Sequence, residues 1–225
     1  MASSSVSNNT TTLLFDHDGT LINSERVHFT LWQEIVASYG AELTDEFYCK
    51  AMAGIPVKQN AKDVVEHFSL DETPERLAKK KHEKIEAYLS QQAFPLMPHA
   101  AETIKACADK GYTIGIVTGG STLSVEKTLA NYGLAQYISC VAAVEDVTYS
   151  KPAPDCYQLA MEKLGVSAAQ CVAIEDTHTG MQSAVSAEIP CVVIPTTQSA
   201  THDFSKATSR YESLPLWLEQ EITGR

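Results

Sequence analysis

Four short stretches of this sequence carry residues with chemistry to offer: Asp16 and Asp18, Thr118-Gly119-Gly120-Ser121, Lys151-Pro152, and Glu175-Asp176. Carboxylates gathered in one place repel one another unless a cation joins them. An oxygen-only set, without His or Cys, suits Mg2+. That ion takes one or two protein carboxylates and completes its shell with water and a substrate phosphate. The Thr118 hydroxyl, the Gly119 amide and the Lys151 ammonium are then the groups to bind the remaining phosphate oxygens. Negative charge spreading over the phosphoryl oxygens in the transition state would meet the metal and Lys151. Residues two apart on an extended segment point the same way. One of Asp16 and Asp18 can therefore attack phosphorus, and the other can protonate the leaving group and later activate water.

These residues share a position in the elements that carry them. Leu13-Leu14-Phe15 reads as a buried strand that runs straight into Asp16-His17-Asp18-Gly19-Thr20. Later strands are predicted over Tyr112–Thr118, Cys140–Val144, Cys171–Glu175 and Cys191–Ile194. Helices are predicted over Ala100–Lys110, Thr122–Tyr132, Asp155–Leu164, Thr179–Ala187 and Leu214–Ile222. Strands alternating with helices imply a parallel sheet covered on both faces. Ligands of such sheets bind beyond the carboxyl ends of the strands, where strand order reverses.

Between the first strand and the rest the pattern is helical throughout. Val27, Leu31 and Ile35 repeat at four-residue spacing, with Ser24 as N-cap and Gly40 as stop. Further helices are expected over Asn60–Phe68 and Thr73–Gln92. The expected fold class is α/β: a doubly wound parallel-sheet core formed by residues 1–22 and 93–225, with a helical domain, 23–92, inserted after the first strand.

The composition narrows the partners. The net charge of −11 over 225 residues argues against nucleic acid and anionic membranes, both of which attract a positive field. A phosphate site in such a chain must be built from local groups. No apolar run approaches the ~20 residues that span a bilayer. The opening MASSSVSNNT has neither a basic stretch nor an apolar core, so it is read as a frayed tail and not a secretory signal. The six cysteines are scattered without a CxxC pair, as reduced thiols of a cytoplasmic protein would be. A monomer is the expected state.

In order along the chain, Phe15-Asp16-His17-Asp18-Gly19-Thr20-Leu21, Val117-Thr118-Gly119, Lys151-Pro152-Ala153-Pro154-Asp155 and Ile174-Glu175-Asp176-Thr177-His178-Thr179-Gly180 resemble the four motifs of the haloacid dehalogenase-like hydrolases. The helical insertion is similar to the small cap of the β-phosphoglucomutase and phosphoglycolate phosphatase branch. The resemblance implies that Asp16 is nucleophile and metal ligand. It implies that Asp18 is acid/base with its carbonyl on Mg2+, that Asp176 with Glu175 completes the metal site, and that Thr118 and Lys151 bind phosphate. The cap would close over the substrate and exclude water.

Asp18, which dehalogenases lack, favours phosphoryl transfer. In the mutases an arginine shortly after the cap glycine holds a second phosphate. Here the segment is Gly54-Ile55-Pro56-Val57-Lys58, with Val57 at that place, which favours a phosphatase over a phosphomutase. His28 and Lys81 match positions facing the active site in the mutase, and with Gly54 they are the substrate contacts implied for the cap. On residue pattern alone, Lys79-Lys80-Lys81 reads as a solvated helix face. A non-enzymatic alternative, a phospho-aspartate receiver, would place its aspartate on a later strand and carry no cap. The expected activity is Mg2+-dependent hydrolysis of a small phosphorylated metabolite through an aspartyl-phosphate. His17, at a place more often apolar or aromatic, is expected to pack beside the sheet end.

Overall fold

Thr12–Phe15 (β1) is buried at every residue, as a strand covered on both faces must be. A computed structural model of the chain describes residues 5–224. In it β1 is joined by Thr113–Val117 (β2), Cys140–Ala142 (β3), Cys171–Glu175 (β4), Cys191–Val193 (β5) and Ser209–Arg210 (β6). The six strands run parallel in the order β3-β2-β1-β4-β5-β6. That is a doubly wound sheet whose order reverses between β1 and β4. Phe15 lies opposite both Ile116 and Ile174, so the residues after β1, β2 and β4 leave the sheet side by side.

Alternation along the strands supplies two cores. Leu13, Phe15, Ile114, Ile116, Val172 and Ile174 face one layer with Ile104 and Cys107 of Ala100–Asp109 (α5), Val125 of Thr122–Tyr132 (α6) and Trp217 of Leu214–Leu218 (α9). Leu14, Val117, Ala142, Ala173 and Val193 face the other with Tyr157 and Ala160 of Asp155–Leu164 (α7) and Met181 and Ala184 of His178–Ser186 (α8). Gly115 is required in β2: a Cβ there would stand 2.8 Å from Leu14 and 2.9 Å from the Cys140 sulfur.

The chain divides into two compact units, one comprising residues up to Asn23 and from Pro95 onward, the other Ser24–Phe94. The second is helical: Ser24–Ala37 (α1), Asp45–Ala51 (α2), Val57–Phe68 (α3) and Pro74–Gln91 (α4). Trp32, Ile35, Val36, Tyr48, Val64 and Leu77 form its core. Thr44 and Thr73 cap α2 and α4 through their hydroxyls, and Pro74 opens α4, where a missing N–H costs nothing.

Several expectations are corrected. Ser24 is the first residue of α1 and not its cap. Helix α2 was not expected, because seven residues are too few to establish a period. The opening segment is no frayed tail from Ser5 onward. Ser5, Val6 and Thr10 are buried, and the Ser5 and Val6 amides donate to the Glu221 carboxylate at 3.3 Å each. That carboxylate also accepts from the Tyr211 hydroxyl at 2.5 Å. Lys81 is fully buried, so the lysine run is not a uniformly solvated face. All six cysteines are free thiols, with Cys49 exposed and the others buried or half-buried. Among the described residues no helix is long and apolar enough to cross a membrane.

Candidate active site

The loop after β1 folds back tightly: the Gly19 N–H donates to Ile22 O at 2.8 Å, and the Leu21 and Ile22 amides both donate to His17 O at 2.9 Å. Gly19 holds φ +88°, and a Cβ on it would lie 2.1 Å from Asp176 Oδ2. Only glycine lets Asp176 rest against this turn. Gly120 does the same for Asp18, since a Cβ there would lie 2.6 Å from Asp18 Oδ2. The Asp16 N–H donates to Ile174 O at 2.9 Å, which fixes Asp16 beside the end of β4 and so beside Glu175 and Asp176.

Lys151 joins these groups. Its ammonium donates to Asp16 Oδ1 at 2.6 Å, Glu175 Oε1 at 2.7 Å and Val117 O at 2.8 Å. Oxygens of Asp16, Glu175 and Asp176 lie within 4.8 Å of one another. Thr118, also buried, donates to Asp18 Oδ2 at 3.3 Å and accepts from the Gly120 N–H at 2.8 Å. Gly119 is exposed beside this hydroxyl.

The electrostatics of the cluster follow from burial. Burial pushes the Asp16 carboxyl up, opposed by Lys151 and reinforced by Asp18. It raises Asp176 well above the usual carboxylate range, with Asp16 and Glu175 adding to the effect. Glu175 is pushed up to about 7 by burial against the pull of Lys151. Burial alone would lower Lys151, but Asp16 and Glu175 outweigh it and hold the ammonium above its ordinary value. Three carboxylates thus face one internal cation, a net negative site that resists ionisation.

Two buried oxygens, Asp176 Oδ1 and Glu175 Oε2, have no hydrogen-bond partner. Unpaired carboxylate oxygens are costly away from water. Oxygen-only donors with unused acceptor capacity fit a hard divalent cation of the Mg2+ type, and Gly19 leaves the space that lets Asp176 join them.

Three participants were given no role from the sequence. Tyr157, wholly buried on α7, donates its hydroxyl to Glu175 Oε1 at 2.7 Å. Burial and the neighbouring Glu175 hold its phenol well above the ordinary value, so it remains a donor. Its place six residues after Lys151, in the first turn of a helix that packs on the sheet, is the trace it leaves in the sequence. Thr128 on α6 is the second. Its hydroxyl donates to Ser124 O at 3.0 Å, so it accepts from His17 Nε2 at 3.1 Å. That fixes the ring proton of a fully buried His17, whose own pKa burial lowers. Nδ1 is left without a hydrogen bond, 3.8 Å from Asp18 Oδ2. Gly180 is the third: a Cβ there would stand 1.8 Å from Glu175 Oε2.

The remaining candidates, His28, Gly54 and Lys81, belong to the helical unit. Lys81 Nζ lies 3.2 Å from His28 Nδ1, donates to His28 O at 3.0 Å, and sits 5.5 Å from the centre of the Trp32 ring. Burial lowers its pKa to about 7. Gly54 takes φ +71° in the loop before α3. There the Asn60 amide donates to Met52 O at 2.9 Å and Ile55 O at 3.0 Å.

Residues 13–194 match the family model described as haloacid dehalogenase-like hydrolase. The chain is 31% identical over 180 residues to the fructose-1-phosphate phosphatase YqaB of Escherichia coli (strain K12), covering 80% of this chain and 94% of that protein. It is likewise 31% identical over 193 residues to the validoxylamine A 7'-phosphate phosphatase of Streptomyces hygroscopicus subsp. limoneus, covering 83% and 86%. In three dimensions it is similar to CbbY from Rhodobacter sphaeroides in complex with phosphate, with a TM-score of 0.79 and 25% identity over 96% of this chain and 98% of that one.

Proposed function

Because the chain belongs to the haloacid dehalogenase-like hydrolases, we propose that it is a Mg2+-dependent phosphatase of small phosphorylated metabolites, sugar phosphates or related organic phosphates, acting as a monomer through an aspartyl-phosphate. The observation that carries this reading is the buried cluster of Asp16, Glu175 and Asp176 with Lys151 bonded to Asp16. Asp16, Asp176, Glu175 and the Asp18 backbone carbonyl are the groups assigned to hold the metal. When bound, Mg2+ supplies positive charge against the carboxylates and the phosphate oxygens.

Lys151 fixes Oδ1 of Asp16, which makes Oδ2 the attacking oxygen. A bond forms from Asp16 to phosphorus as the ester P–O bond breaks, and Asp18 gives its proton to the departing alkoxide oxygen. Water then attacks phosphorus, losing its proton to Asp18, and the bond to Asp16 breaks to release inorganic phosphate. The Thr118 hydroxyl, the Gly119 amide and Lys151 bind the phosphate oxygens through both steps. Substrate selection is assigned to the helical unit, with Gly54 and His28 as contacts and the buried Lys81 as support for His28.

The test is phosphate release from a panel of sugar phosphates, phosphoglycolate, nucleotides and an aryl phosphate, with and without Mg2+. Mg2+-dependent release from the wild type, abolished in a folded Asp16→Asn variant, is the expected result. Turnover by the variant would overturn the mechanism. Conversion of a hexose 1-phosphate to its isomer in the presence of a bisphosphate primer, with little free phosphate, would replace it with the phosphomutase alternative.

A further inference from the structure

All three N–H groups of Lys151 are spent inside the protein, on Asp16 Oδ1, Glu175 Oε1 and Val117 O. A substrate phosphate can be held by this ammonium only if one of those acceptors gives up its bond. A buried acceptor left unpaired loses the full value of that bond, and a charged one loses more. The three acceptors differ in this respect. Among the described residues, Glu175 Oε1 is the one with a second side-chain donor on it, the Tyr157 hydroxyl at 2.7 Å. Releasing Asp16 would loosen the nucleophile itself.

We propose that Tyr157 is a positioning residue for phosphate capture: its hydroxyl keeps Glu175 hydrogen-bonded while Lys151 turns one N–H from Glu175 to the substrate phosphate. The inference rests on the phosphate-binding role proposed for Lys151 and says how that role becomes available. Three further observations agree with it. Glu175 Oε2 has no hydrogen-bond partner, so the Tyr157 hydroxyl is the hydrogen bond that the carboxylate keeps when the lysine turns away. The absence of a side chain at Gly180 admits Oε2 to its place, 1.8 Å from where a Cβ would sit, so the carboxylate is seated and does not follow the departing lysine. The ammonium lies 5.3 Å from the centre of the Tyr157 ring, whose face attracts the cation whichever of its acceptors it holds.

Tyr157→Phe keeps the ring and its packing and deletes the one donor. The probe is inorganic phosphate, read as a competitive inhibitor of aryl phosphate hydrolysis and, independently of turnover, by its effect on the melting temperature, all in saturating Mg2+. The variant is expected to bind phosphate about tenfold more weakly, equivalent to 1.4 kcal/mol. KM should rise by a similar factor, with kcat carrying less of the loss, and the Mg2+ concentration for half-activity should move less than about twofold. The melting temperature without phosphate reports whether the variant is folded. Unchanged phosphate affinity in a folded variant overturns the proposal. So does a shift in Mg2+ requirement without a shift in phosphate affinity, which would tie Tyr157 to the metal instead. If phosphate does not compete with substrate even in the wild type, the assignment of Lys151 fails, and the inference fails with it for that separate reason.

Discussion

Replacing Glu175 by glutamine isolates the cost of keeping a carboxylate at this depth. The unfolded chain gives up this proton near its ordinary value of 4.5, whereas the folded protein holds it to about 7. Between those values the folded state carries more protons, so stability falls as pH rises, and above about 7 the whole cost is in place. At ~1.4 kcal/mol per pH unit of separation, the carboxylate costs about 3 kcal/mol at alkaline pH in the metal-free protein. Glutamine keeps the shape and cannot ionise. The unfolding free energy of Glu175→Gln minus that of the wild type should therefore grow by about 3 kcal/mol from about pH 4 to about pH 8. Any fixed penalty of the amide is the same at both ends and drops out. His17, whose lowered pKa slopes the other way, is common to both proteins and cancels, whereas Asp176, raised in part by Glu175, is relieved in the variant and adds to the growth. The assay is urea denaturation of the two proteins in chelator across that range. A pH-independent difference would show that Lys151 and burial balance, and one that shrinks as pH rises that Lys151 favours the ionised carboxylate more than burial opposes it. Saturating Mg2+ should stabilise the wild type at pH 8 by mass action and narrow the gap.

Two further changes probe other parts of the molecule. Gly19→Ala forces a side chain into φ +88° and to within 2.1 Å of Asp176 Oδ2. A loss of about 1–2 kcal/mol of stability from the backbone conformation, with at least tenfold weaker Mg2+ dependence of activity, is expected from melting and metal titration. An intact metal response would mean that Asp176 has room to yield. Lys81→Met removes an amine whose folded pKa is lowered to about 7 by burial. Because the unfolded chain keeps that proton to a much higher pH, wild-type stability rises with pH between the two values. The variant's relative advantage should therefore be largest below about pH 7 and shrink by several kcal/mol towards pH 10. A flat difference in denaturation experiments at the two pH values would refute the burial argument.

The sheet and the gathering of polar groups at one edge were legible because each strand is a short apolar run that stops at a polar residue, as Phe15 stops at Asp16 and Ile174 at Glu175. Strand-end position and residue type sufficed to associate Asp16, Asp18, Thr118, Lys151, Glu175 and Asp176. What holds them was not legible. Tyr157 looks like any aromatic on a buried helix face, and its hydroxyl acquires meaning only when α7 packs against β4. Thr128 is one of many helix threonines until His17 lies against it. The burial of Lys81 was hidden inside a run of three identical side chains, only one of which turns toward His28 and Trp32. Val6 sits among Ser and Asn residues, and the Glu221 carboxylate that binds its amide lies at the other end of the chain. Pairings over such separations leave no periodicity behind. The two-residue β6 is too short to show one.

The position of β1 sets the order in which the molecule can be made. It leaves the ribosome before either of its partners, β2, opposite Thr113, and β4, opposite Cys171, between which it is a central strand. Leu13, Leu14 and Phe15 therefore wait, unpaired and apolar, until β2 ends at Val117, about 100 residues later, and with one edge open until β4 follows, which is a hazard for aggregation. The helical unit shortens that wait. Its core is made of residues close in sequence, so it can form early and fast. The chain leaves and re-enters the sheet unit at neighbouring points, with the Asn23 N–H donating to Pro95 O at 2.7 Å. Once the insert has folded, the connection between β1 and β2 behaves as a short loop, and each tenfold reduction in effective length lowers the entropic cost of closure by about 2 kcal/mol. The insert thus serves biogenesis as a splint for the strand that bears the nucleophile, a service that any substitute with closely spaced ends could render.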